Sequence, residues 1–173
     1  RLILLDPREI ELASFATLHL RHRPGTVVAV LNALAHVIIR DNLTNPNFIE
    51  ARTEGFDAFA AAVADWTPER AADVSGVPAQ DIVDAAYLYA HARNAMIFWA
   101  MGITQHTTGT DNVKACSNLA LLAGHIGRPA TGLNPLRGQN NVQGACDMGG
   151  LPNVFPGYQA VADEGVRRKF ATG

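Results

Sequence analysis

Two short unbroken apolar runs constrain this chain more than anything else in it. Leu2-Ile-Leu-Leu5 stops at Asp6-Pro7, and Ala95-Met-Ile-Phe-Trp-Ala-Met101 stops at Gly102. Neither run alternates polar with apolar residues, so each reads as a strand covered on both faces, the pattern of a parallel sheet flanked by helices. The chain between them supplies helices. Val27, Val30, Leu31, Leu34, Val37 and Ile38 recur at helical spacing between Thr26 and Arg40, which predicts an interior helix. Shorter helical stretches are expected over 8–16, 47–51, 56–66, 82–92 and from Asp111 to about Gly124, with Thr67-Pro-Glu69 as an N-cap followed by a first-turn proline. Leu18-His-Leu-Arg21 alternates briefly, and His22-Arg-Pro-Gly25 is a turn. The expected fold class is therefore α/β.

Composition narrows the function classes. Fourteen basic and sixteen acidic residues give a net charge of −2 with no basic stripe, which argues against a nucleic-acid partner. No apolar run approaches the roughly 18 residues of a membrane span, and no signal peptide is visible. Cys116 and Cys146 stand far apart, so neither a disulfide framework nor a thiolate metal site is encoded, and a reducing, cytoplasmic compartment is expected. Arg1 leads directly into the first strand without an initiator Met. Polypeptide upstream of it is accordingly expected.

Three constellations carry possible chemistry. Asp6 closes the first strand, the position from which dinucleotide-binding folds hold ribose hydroxyls; the alternative is a turn made with Pro7. The second strand opens into Thr104-Gln-His-Thr-Thr-Gly109, a polar loop suited either to ligand contact at Gln105 or to plain solvation. No G-x-G-x-x-G phosphate loop is present, which weakens a self-contained nicotinamide site. The third is Asn134 to Gly150, where one guanidinium, Arg137, stands among the amides of Gln139, Asn140, Asn141 and Gln143 with four glycines. Such a loop suits a small carboxylate or a cofactor phosphate. His19 and His22 are spaced three apart without a carboxylate or third ligand, so no metal site is expected. His36, His91 and both cysteines read as structural, and His106 as a surface or hydrogen-bonded residue.

Taken together, Gly132-Leu-Asn-Pro-Leu-Arg-Gly-Gln-Asn-Asn-Val-Gln-Gly-Ala-Cys-Asp-Met-Gly149 and Pro156-Gly-Tyr158 resemble the catalytic subunit of molybdenum- or tungsten-dependent formate dehydrogenases. Leu5-Asp-Pro-Arg8, Arg23-Pro-Gly-Thr26, His36-Val-Ile-Ile39, Arg52-Thr-Glu-Gly-Phe56, Gly76-Val77 and Met101 to Gly109 are similar to that family in the same order. The resemblance thus covers essentially the whole chain.

It implies a Rossmann-like module of the formate dehydrogenase/DMSO reductase-type fold over residues 1–139, binding one guanine nucleotide of a bis(molybdopterin guanine dinucleotide). Residues 140–173 would begin an adjacent α/β domain. By the same resemblance Leu5, Asp6, Arg8, Gly25 and Thr26 would contact the guanosine part, and Met101, Gly102 and Gln105 the pterin or pyrophosphate. Arg137 would clamp formate and aim its C–H bond at the metal, steadied by Gln139 and Asn140. The metal-ligating cysteine or selenocysteine, its neighbouring histidine and the cysteines of a [4Fe-4S] cluster are expected before Arg1. A central part of a catalytic subunit, inactive alone, is therefore implied, working with the rest of that subunit and with iron–sulfur or flavin electron-transfer subunits. Other molybdopterin enzymes of the nitrate reductase type, and a non-catalytic scaffold subunit of a respiratory complex, share the fold and stand as alternatives.

Overall fold

The computed structural model describes residues 1–171. Two compact units divide between Asn134 and Pro135, ahead of the 139/140 boundary expected from the sequence. Arg137 and the amides around it therefore fall in the second unit.

The first unit is built around α1 (Val27–Arg40), which buries Val27, Val30, Leu31, Leu34, Val37 and Ile38, the residues whose spacing predicts it. The helix ends where Asn42 takes a left-handed φ of 57°, a conformation asparagine tolerates better than most residues. Against α1 pack α3 (Phe56–Val63), α4 (Pro68–Ser75), α5 (Ala79–Ala90) and α7 (Gly109–Ala123). Between α1 and α3 lies α2 (Pro46–Arg52), whose N-cap Asn45 accepts from the Phe48 amide at 3.1 Å. Thr67 does the same for α4, accepting from Arg70 N at 3.3 Å with Pro68 in the first turn. Both caps satisfy amides that the helix itself leaves unpaired.

The strands are shorter and more open than the apolar runs suggest. β1 (Ile3–Leu5) pairs parallel with β2 (Leu18–Leu20) in the register Ile3 to Leu18, Leu4 to His19 and Leu5 to Leu20. β3 (Met96–Trp99) pairs with β4 (Gly132–Pro135) in a separate two-stranded sheet. The expectation that both apolar runs are covered on two faces is corrected here. β1 is half-buried throughout, and Met96 and Phe98 are exposed. The reason is topological: each has one neighbouring strand among the described residues, and both border the same open cleft. A 3-10 turn at Glu11–Phe15 stands in place of the longer helix expected over 8–16. Immediately after β3, Met101–Thr104 form a helical turn, α6, where a polar loop was expected to start.

The second unit holds α8 (Val142–Asp147), a two-residue hairpin pair β5 (Val154–Phe155) and β6 (Gln159–Ala160), and α9 (Glu164–Ala171). β5 and β6 are antiparallel, with Val154 opposite Ala160 and Phe155 opposite Gln159. Phe155 stacks on Phe170 with centroids 4.5 Å apart, which fastens α9 to the hairpin. Among the described residues no helix is long and apolar enough to cross a membrane.

Candidate cofactor cleft and substrate loop

In the first unit a cleft of about 1650 Å³ is bordered by β1 and β3. Its strand-side wall is apolar, from Leu2 to Leu5 and from Met96 to Trp99, and its polar lining includes Asp6, Arg8 and His106 beyond the carboxyl ends of β1 and β3 and Asp84, Tyr87 and Tyr89 on α5. Leu5, Asp6, Arg8, Gly25 and Gly102 of the expected cofactor set all line it. Thr26, Met101 and Gln105 are sequence neighbours of lining residues and lie off its wall.

Asp6 makes the turn with Pro7 that the sequence offers as one of its two readings. Its Oδ1 accepts from the Arg8 amide at 2.8 Å, closing a turn over Pro7, and the Arg8 guanidinium stands 3.5 Å away. Its own carbonyl accepts from His19 Nε2 at 2.9 Å, which ties the end of β1 to β2. The turn at Pro24-Gly25 is anchored from behind by Arg23. That guanidinium donates to the Asp73 and Val74 carbonyls at 2.9 and 3.2 Å, at the C-terminus of α4, where unpaired carbonyls favour a cation. Gly25 has φ +82°, and a Cβ built there would meet nothing within 4 Å. Thr26 spends its hydroxyl on the Arg23 carbonyl at 2.7 Å.

On the β3 side, α6 is held by two side chains. Asn112, fully buried, donates to Ile103 O at 2.9 Å, and His106 Nε2 bonds Gly102 O at 2.9 Å. The junction with α7 requires Gly109, because a Cβ there would stand 2.1 Å from Thr104 O. His106 thus braces the turn. Gly102, like Gly25, faces open space.

Whether these residues fit a nucleotide-bearing cofactor can be judged from the cleft itself. Two bare glycines, Gly25 and Gly102, share the lining with the Asp6 carboxylate and Arg8, and the Tyr89 hydroxyl, also on the lining, is buried without a partner. Burial raises that phenol far above its ordinary value, so it stands as a neutral donor awaiting an acceptor. The set fits.

Other candidates resolve as structural. Cys116 is buried and its thiol is pushed up to about 11, which makes it a poor nucleophile. Cys146 is also free and buried. His36 bonds Val63 O and His91 bonds Tyr87 O. No group of three or more metal-capable side chains occurs among the described residues. Sequence reading overlooked His125, a buried histidine whose Nε2 bonds Tyr89 O at 3.1 Å while Arg128 Nη2 faces its Nδ1 at 3.2 Å. Burial first, then the Arg128 charge, lowers its pKa. It is a neutral clamp between α5 and the end of α7.

The second unit carries Arg137, Gln139 and Asn140 on an exposed loop between β4 and α8. Arg137 Nη2 donates to Gln143 Oε1 at 3.3 Å. Gln143 Nε2 in turn donates to Asp147 Oδ1 at 3.2 Å and to the Tyr158 hydroxyl at 2.9 Å. Gln143 and Asp147 share a face of α8 by their spacing of four, a cue present in the sequence and not used there. The glycines of this stretch mainly admit the chain's own atoms. A Cβ on Gly149 would stand 2.9 Å from Pro156, on Gly144 2.6 Å from the Asn141 amide, and on Gly150 2.7 Å from Ala145 O.

Comparison with known proteins identifies what the chain is similar to. A family model described as molybdopterin oxidoreductase matches residues 1–171. The chain is 55% identical over 161 residues to the alpha subunit of F420-dependent formate dehydrogenase 1 of Methanococcus maripaludis, covering 93% of this chain and 24% of that protein. It is 48% identical over 171 residues to formate dehydrogenase H of Escherichia coli, covering 99% of this chain and again 24% of the relative. The chain thus spans about a quarter of the length of these relatives. Among solved structures, acetylene hydratase of Pelobacter acetylenicus matches with a TM-score of 0.73 at 28% identity, over 75% of this chain and 18% of that one.

Proposed function

The chain belongs to the molybdopterin oxidoreductase family, and we propose that it forms the nucleotide-binding and substrate-clamping part of a formate dehydrogenase catalytic subunit. The family carries a molybdopterin cofactor with molybdenum or tungsten. When bound, that cofactor supplies the acceptor for the two electrons released as formate becomes carbon dioxide and a proton. The finer identification, a bis(molybdopterin guanine dinucleotide) with a [4Fe-4S] cluster and electron-transfer subunits beyond it, rests on the formate dehydrogenase names of the relatives. Two free buried thiols accord with a reducing compartment such as the cytoplasm.

The observation that carries the substrate is Arg137. It is exposed, it forms no ion pair among the described residues, and its recorded partner is a neutral amide. A guanidinium in that state offers a charged fork matched to a carboxylate such as formate. Around the cleft, Leu5, Asp6, Arg8, Gly25 and Gly102 would hold the nucleotide end of the cofactor, with Thr26, Met101 and Gln105 in the flanking turns. Asp6 would accept hydrogen bonds from ribose hydroxyls with the oxygen its turn leaves over, and the glycines let backbone come close. Gln139 and Asn140 add amide donors beside Arg137.

The fold alone does not choose the reaction, since a hydratase shares it. The formate reading rests on the relatives at about half identity. Metal and pterin analysis of the whole subunit, with formate-dependent dye reduction, tests it. Molybdenum or tungsten with a pterin and formate-driven reduction is the expected result. A metal-loaded protein indifferent to formate would reject the substrate, and a metal-free native protein would favour the scaffold reading.

A further inference from the structure

Gln143 occupies a position with no slack. A side-chain amide has one acceptor oxygen and two N–H donors. Here the oxygen receives Arg137, and the nitrogen serves both Asp147 and Tyr158. Turning the amide over would set its NH2 against the guanidinium and its oxygen against the Asp147 carboxylate, two repulsive pairs in place of attractive ones. Its orientation is therefore dictated by chemistry.

We propose that Gln143 is the positioning residue for Arg137, fixing the guanidinium through a neutral acceptor so that its charge stays whole for a carboxylate substrate. The inference rests on the reading of Arg137 as the formate clamp. A carboxylate at position 143 would hold the arginine more strongly and compensate its charge, competing directly with the substrate. An apolar side chain would leave the guanidinium to wander. The amide avoids both. Asp147 contributes its charge one step back, where it orients the amide and forms no ion pair with Arg137. Tyr158 remains protonated, its hydroxyl raised first by burial and then by Asp147, so it adds no second negative charge.

The backbone supports the same reading. Asn141, which precedes α8, and Tyr158, which supplies the hydroxyl, both take left-handed φ, 50° and 57°, although neither is glycine. Asparagine tolerates this region, whereas for Tyr158 it costs free energy and persists where the surroundings enforce it. The two residues bracket Gln143 from both sides. Gly149 permits the approach of Pro156 that brings the Tyr158 turn back toward α8, where Gly157 N also donates to Asp147 O at 2.7 Å.

The test uses the intact, cofactor-loaded subunit carrying Gln143→Glu, which preserves shape, and Gln143→Leu, which removes polarity. Both should raise the KM for formate about tenfold or more at unchanged metal content, with kcat altered less. A merely structural role would instead lower the fraction of active enzyme, reducing apparent kcat at constant KM, and that result overturns the proposal. So does an unchanged KM in both variants when Arg137→Ala raises it strongly. Should Arg137→Ala itself leave formate kinetics intact, the clamp reading fails separately. The crystal structure of Gln143→Glu or Gln143→Leu then decides the positioning claim: a displaced Arg137 guanidinium in the apolar variant sustains it, and an unmoved one rejects it.

Discussion

The two units hold their shape by different means. In the first, α1 alone buries nine residues, all apolar, and four other helices close over it. In the second, α8 buries only Cys146, and the arrangement depends on a stacked phenylalanine pair, glycines at close approaches and one amide-centred network. The contrast teaches where each half is vulnerable. The turns proposed to bind the cofactor sit on an apolar scaffold sensitive to lost volume or buried polarity, whereas the arginine proposed to hold the substrate sits on a polar scaffold that a single side chain can dislocate.

The largest effect that sharpens this comparison is expected in the core. Ile38→Ala, at a fully buried site on α1, should destabilise the first unit by about 2–5 kcal/mol in chemical unfolding. A loss under about 1 kcal/mol would mean that apolar packing does not dominate there. Next is Gly149→Ala. With φ +85° and a Cβ 2.9 Å from Pro156, it should cost about 1–3 kcal/mol and speed hydrogen exchange in the second unit while leaving α1 protected. Equal loss of protection in α1 would break the distinction between the units. Smaller again, Thr67→Ala removes the α4 cap and should cost about 0.5–1 kcal/mol, seen as faster exchange in the first turn of α4.

The smallest effect is electrostatic. Asp41 receives a two-pronged bond from Arg40 and one from the Tyr87 hydroxyl, and its carboxyl falls from 3.8 to about 2. A lowered folded-state value means that the contribution is present above the ordinary pKa and is lost as the pH drops from about 4 toward 2. Asp41→Asn should flatten acid unfolding in that window. An unchanged acid limb would assign this exposed cluster no role in stability.

Much of the fold was legible because its signals are local. The 3.6-residue pattern gave α1, and Thr67-Pro68 gave the start of α4 through cap chemistry that needs no distant partner. β4 was not legible: Gly132-Leu-Asn-Pro135 has neither alternation nor β-branched residues, and it is a strand because β3 offers an edge. Nor could apolar runs reveal that β1 and β3 are open on one side, since a run reports hydrophobicity and not which neighbours are at hand. At the cleft, Asp6 and Gly102 were readable as strand-end residues and Gly25 as a turn residue. The Gln143, Asp147 and Tyr158 network was hidden because Tyr158 returns to α8 only through the hairpin turn, although the spacing of Gln143 and Asp147 was in plain sight.

The central claim is that Arg137 presents an uncompensated guanidinium to formate, and its most direct test is steady-state formate oxidation by the intact, metal-loaded subunit carrying Arg137→Ala and Arg137→Lys. Retained metal content with a fall in kcat/KM of about 100-fold or more for alanine, and a partial loss for lysine, which keeps charge without the fork, is the predicted result. Wild-type kcat/KM in Arg137→Ala at full metal content would contradict it.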